Sequence, residues 1–318
     1  IIGNSSSALN RVNLISNSVY DSGLYVESGE RGCSIENLNA GGFAGKSSGM
    51  LEISNLDTMN FEVAEYTTGG DTGNGNDSGN KIDTLSSNEF RKYSNTDDKL
   101  QYAENMVVIS GNANVGVVVG LSEARFSFVG GSSKNTELNK NGESIRISTT
   151  STKVENGINI GSVVGKTIAT VTSTTNNQTS LSITGDITSK MQVVVVASND
   201  NAVNVGGMVG WIVGNSSGDT NNLSRNTIGV QNNGAFNYNG TVYSNVANLS
   251  FGGMVGTVEF GNDQEQLSVY NSAFGGALKI FGSHSDEATV YVGGTIGNLK
   301  GSLKSNSAEN TESDIVLM

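Results

Sequence analysis

One short pattern constrains the fold of this chain more than any other feature. It is Gly-x-x-h-Gly, with h a small or medium apolar residue, and it recurs as GGFAG (41–45), GVVVG (116–120), GSVVG (161–165), GGMVG (206–210), GGMVG (252–256) and GGTIG (293–297). The opening "IIG" closes one more copy on Gly3. Successive closing glycines, at 3, 45, 120, 165, 210, 256 and 297, lie 42, 75, 45, 45, 46 and 41 residues apart. The interval of 75 equals one 45-residue repeat plus 30 residues, and a polar Gly/Asn/Asp-rich stretch at about 67–98 supplies them. A fixed period of this length marks a repeat architecture, in which each unit buries its apolar face only against its neighbours.

The flanks repeat as well. Asn39, Asn114, Asn159 and Asn204 each stand two places before the first glycine, and Ser250 and Tyr291 take that place in the last two copies. Runs such as LSVYNSAF and GALKIF follow the motif and are bounded by polar turns, as strands are. If the repeats are stacked coils, equivalent residues come into register about 4.8 Å apart. The h positions Ile2, Ala44, Val119, Val164, Val209, Val255 and Ile296 then form an inner column. The asparagines form a ladder of side-chain hydrogen bonds. The glycines serve corners that leave no room for Cβ, or that need positive φ. A phosphate-cradling loop needs one glycine run at a helix N-terminus, and six copies among strand residues do not fit it.

Composition supports strands. The chain has no proline and 42 glycines in 318 residues, which suits continuous ladders, because proline removes a backbone donor. The fold class expected is all-β, a parallel β-solenoid of about 45-residue repeats. It is one unit over residues 1–318, with the insertion at about 67–98, and is read as a segment of a longer chain. The alternative is a β-propeller, whose blades repeat at a similar length. Against it, no WD or kelch signature occurs and Trp211 is the only tryptophan.

At this point the residues resemble a known family. VGGMVG, FGGMVG and VGGTIG, each followed by strand-like runs such as NTIGVQNNGAF, are similar to GLUG-type repeats of bacterial surface adhesins and some secreted peptidases. The resemblance implies a right-handed β-solenoid and an extracellular place on the cell surface. Its function there would be structural or adhesive: a rigid rod, or a subunit of a surface filament. Expected partners are neighbouring subunits, other domains of the same chain, glycans, or host and cell-surface proteins. Enzymatic activity is not expected. The alternative is a carbohydrate-active β-helix enzyme, which would need converging acids beside a basic group. Asp97-Asp98 and Asp286-Glu287 do not recur at the repeat period.

Other functions find little support. A net charge of −12 offers no basic stripe for nucleic acid. No apolar run approaches the length of a membrane span. TGNGNDSGN at 72–80 approximates a calcium-binding nonapeptide, so Asp71, Asn76, Asp77 and Asp83 are candidate calcium ligands. No other cofactor is implied. His284, the only histidine, reads as an exposed turn residue, and lone Cys33 reads as a small buried one.

Strict alternation along a strand adds one expectation. With Val209 inward, Met208 points outward. Phe43, Val118, Val163, Met208 and Met254, with Thr295, would then form an exposed apolar stripe for docking a subunit or domain.

Overall fold

The computed structural model describes residues 2–5, 9–27, 35–66, 106–124, 126–130, 135–149, 157–170, 181–197, 201–215, 227–232, 235–244, 248–259, 266–270, 272–281, 289–300 and 308–317. Every regular element among them is a β-strand. The strands form sheets of seven, fourteen and six, and every pairing is parallel. The chain is a parallel β-helix. A propeller is excluded, because its repeats form separate blades, whereas here equivalent residues of successive repeats pair directly.

Each motif spans two sheets. Its first strand lies in the six-stranded sheet: Leu38–Gly41, Ala113–Gly116, Ile158–Gly161, Ala202–Gly206, Asn248–Gly252 and Thr289–Gly293. A two-residue bend follows. The second strand then joins the seven-stranded sheet, which runs from Ile2–Ser5 through Ala44–Ser47, Val119–Ser122, Val164–Thr170, Val209–Asn215 and Val255–Glu259 to Ile296–Lys300.

The expected register holds at every step. The h residues pair as Ile2↔Ala44↔Val119↔Val164↔Val209↔Val255↔Ile296. Asn39 pairs directly with Asn114 across the interval of 75, so that interval holds one coil plus an insertion. The insertion at about 67–98 lies outside the described residues. The remaining strands build the fourteen-stranded sheet, whose side chains alternate in period two. Phe236, Tyr238 and Val242 are buried, while Asn237 and Asn239 between them are exposed. Phe126, Phe128, Leu51, Ile53, Val193 and Val195 belong to the same continuous core.

Of the two reasons expected for the motif glycines, the lack of room for Cβ holds and positive φ does not. No glycine of the six complete copies is among those with positive φ, which among the described residues are Gly142, Gly157, Gly185 and Gly276. What the motif glycines permit is contact between two backbones. A Cβ on Gly297 would stand 2.7 Å from the Phe251 nitrogen, and one on Gly256 would stand 2.8 Å from the Val205 nitrogen. Gly120, Gly165, Gly210, Gly256 and Gly297 of the seven-stranded sheet thus each lie against the main chain of the six-stranded one. Packed sheets ordinarily stand about 10 Å apart, with side chains between them. Here the glycines remove that layer.

The bend also overturns the exposed stripe. Phe43, Val118, Val163, Met208 and Met254 are all buried, each at most 1% exposed. Their h neighbours Ala44, Val119, Val164, Val209 and Val255 are buried too. The hydrogen bonds give the reason. The Val163 and Val164 N–H groups both donate to the Met208 carbonyl, at 2.9 Å each. Those of Met208 and Val209 both donate to the Met254 carbonyl, at 2.8 and 3.0 Å. In an extended strand successive N–H groups point to opposite sides. At the bend two in succession point along the stack, so alternation breaks and both side chains enter the core.

Candidate functional site

The asparagine column forms the expected ladder. The Asn114 amide nitrogen donates to Asn39 Oδ1 at 2.8 Å, Asn159 to Asn114 at 2.9 Å and Asn204 to Asn159 at 2.7 Å. Asn159 is wholly buried and its two neighbours nearly so. Buried amides are costly unless bonded, and here each one satisfies the next. Ser250 is too short to continue the ladder. Instead the Thr257 hydroxyl, from the other sheet, donates to Asn204 Oδ1 at 2.6 Å and closes it.

Thr257 belongs to a second register column, the residue just after each closing glycine: Lys46, Leu121, Lys166, Trp211, Thr257 and Asn298. Lys46 Nζ lies 2.8 Å from Glu123 Oε1, and the Ser48 hydroxyl donates to Glu123 Oε2 at 2.8 Å. Burial pushes the Glu123 carboxyl up. The bonds from Lys46 and Ser48, with the charges of Lys46 and Lys166, outweigh that effect and hold it below its ordinary value. Lys166 is buried, and its ammonium stands 4.0 Å over the Trp211 ring, a cation–π contact. Burial pulls the Lys166 pKa down to about 8, with Glu259 and Glu123 opposing the shift. Farther along, Lys300 and Glu259 pair at 3.2 Å on the surface.

A second buried cation lies in the fourteen-stranded sheet. Arg146 Nε donates to Ser144 Oγ at 2.8 Å, and the Ser144 hydroxyl donates onward to Glu62 at 3.4 Å. Burial lowers the Arg146 pKa, and Glu62 restores part of it.

These groups hold charge and order. They do not compose a reacting centre of nucleophile, base and oxyanion donors. Among the described residues no group of three or more His, Cys, Asp or Glu gathers to hold a metal. Asp71, Asn76, Asp77 and Asp83, the calcium candidates, lie outside the described residues, as do His284 and Cys33. No helix among the described residues is long and apolar enough to cross a membrane.

Sequence reasoning did not single out the Lys166–Trp211 contact. A signal existed, since aligning the repeats puts Lys46, Lys166 and Trp211 at one position. Arg146 carried no such signal. It stands in SIRIST, a run whose alternation reads as an exposed arginine.

No protein-family model, no curated protein and no solved structure matches this chain.

Proposed function

We propose that the chain is a structural and adhesive rod, a solenoid segment of an extracellular surface protein that works by shape and contact. The observation that carries the reading is the continuous Asn39–Asn114–Asn159–Asn204 ladder beside a glycine spine. The repeat spends its most regular polar residues on bonding coil to coil, which stiffens a stack. The resemblance to GLUG-type repeats supports a place on the cell surface and partners among glycans or surface proteins. The acidic net charge of −12 suits a solvated rod.

The test is to couple the purified chain to beads and measure retention on a glycan array and on immobilised cell-surface proteins. Polysaccharide digestion is assayed in parallel. Saturable binding without bond cleavage supports the reading. Release of reducing ends or unsaturated sugars from any polysaccharide overturns it in favour of an enzyme.

A further inference from the structure

Residues of the fourteen-stranded sheet that turn away from the core can stand open to solvent, as Asn237 and Asn239 do. One outward row does not. Ile145, Ile147, Val193 and Val195 point into the continuous core, together with Val63 and Val107. Alternation therefore turns Arg146, Val194, Ala64 and Met106 the other way. Register sets them side by side: Arg146 pairs with Val194, while Val63 and Val107 pair with Ile145 and Ile147 on either side of it. Ala64, Met106 and Val194 lie outside the core cluster, yet all four residues of the row are at most 5% exposed. Apart from Ser144, which Arg146 bonds, the residues on either side are half-buried: Glu62 and Gln192 on one flank, Val108, Ser148 and Val196 on the other. Arg146 can shield its neighbours but not itself. The row has a local cover that the core does not supply.

We infer that this row is the seat of residues 82–105, the second part of the insertion, packed on the outer face of the sheet with one of their carboxylates on Arg146 Nη2. Connectivity selects this occupant. Gln192–Val196 fills one edge of Ser144–Thr149. On the other edge Met50–Tyr66 pairs at Ile145, and Val107–Ile109 takes over at Ile147. Residues 67–105, which lie outside the described residues, are thus spliced into a single strand position. The chain leaves and returns at Arg146.

Composition selects the part. Residues 67–81 hold no large apolar side chain. Residues 82–105 hold Ile82, Leu85, Phe90, Tyr93, Leu100 and Tyr102, which suit an outward face of Ala64, Met106 and Val194. They also hold the carboxylates Asp83, Glu89, Asp97, Asp98 and Glu104. Arg146 asks for one, because its Nη2 is buried with no hydrogen-bond partner among the described residues. A buried donor left unbonded is costly, and a carboxylate supplies the stronger, charge-assisted bond. The insertion is then a second layer on the flank of the rod, held where its two ends meet the sheet.

The experiment reads thiol labelling at Val194→Cys in a Cys33→Ser background, with Asn237→Cys as the exposed reference and Val193→Cys as the core reference. In the full chain Val194→Cys labels about 100-fold more slowly than Asn237→Cys. Deleting residues 82–103, which leaves the polar residues 67–81 to close the coil, brings it to the exposed rate while Val193→Cys stays slow. A deletion that unfolds the chain speeds Val193→Cys as well, and a second comparison in the full chain then decides. There trypsin cuts slowly at Arg91, Lys92 and Lys99; Arg146→Met speeds those cuts by about tenfold, and Arg146→Lys by less. Four results overturn the inference. They are fast labelling of Val194→Cys in the full chain, slow labelling that survives the deletion in a folded chain, protection that depends on protein concentration and so assigns the row to a second copy, and trypsin rates unchanged by Arg146→Met.

Discussion

Gly210 tests the account of the glycine spine most directly. A Cβ placed there would lie 2.5 Å from the Gly165 carbonyl oxygen and 2.9 Å from the Asn159 carbonyl carbon, with the Ile160 nitrogen closer still. Ordinary contact begins near 3.4 Å, so the deficits are 3.4 − 2.5 = 0.9 Å and 3.4 − 2.9 = 0.5 Å. All three neighbours are main chain in parallel ladders, so none can swing aside as a side chain would. Overpacking of this kind costs about 1–3 kcal/mol. Replacing glycine by alanine returns about 0.4–1 kcal/mol through the unfolded chain. With the clash at the upper end of its range, Gly210→Ala destabilises by about 2 kcal/mol. Urea unfolding followed by circular dichroism measures the total. Because a solenoid unfolds as coupled neighbouring repeats, amide exchange at Val209 and Ile160 locates the damage. Ala202→Val, on the exposed side of the same coil, is the control and is expected to stay within about 0.5 kcal/mol. If Gly210→Ala matches that control and exchange at Ile160 is unchanged, direct backbone contact is not why glycine is there.

Asn159→Ala breaks the 2.9 and 2.7 Å bonds of the ladder and strands Asn114 Oδ1 and Asn204 Nδ2 in nearly dry surroundings. A loss of about 2–5 kcal/mol is expected from denaturant titration, and a loss below about 1 kcal/mol would mean the ladder is ornamental. Tyr238→Phe removes a fully buried hydroxyl that has no hydrogen-bond partner, so the melting temperature should rise, by the equivalent of about 1 kcal/mol. Lys166 is charged in both states below about pH 8, while between about 8 and 10.5 the folded state gives up its proton before the unfolded chain does. Stability therefore rises with pH across that window. Lys166→Met should be more stable than wild type at pH 7, by an amount on the order of 2–3 kcal/mol that shrinks as pH approaches 10.5. A constant difference at all pH values would refute the coupling.

The sequence alone determined whatever depends on translation along the stack. A period of about 45 places equivalent residues one above another, so the h column, the asparagine ladder, the parallel pairing and the extra thirty residues before Asn114 were all legible by counting. Identical neighbours bond identically, and that symmetry needs no coordinates. What happens within one coil was decided only by the tertiary structure. Met208 and Val209 both face the core, because two successive N–H groups turn along the axis at the bend. A strand rule of alternation cannot anticipate that geometry. The glycines are required by how closely two sheets approach, a distance between segments that no local pattern encodes. Lys166 rests over Trp211 because adjacent coils bring those positions together. Its burial, and so its lowered pKa, depends on everything packed around it. Arg146 reads from its strand as a surface residue and is buried all the same, since exposure belongs to the assembled layers and not to the strand.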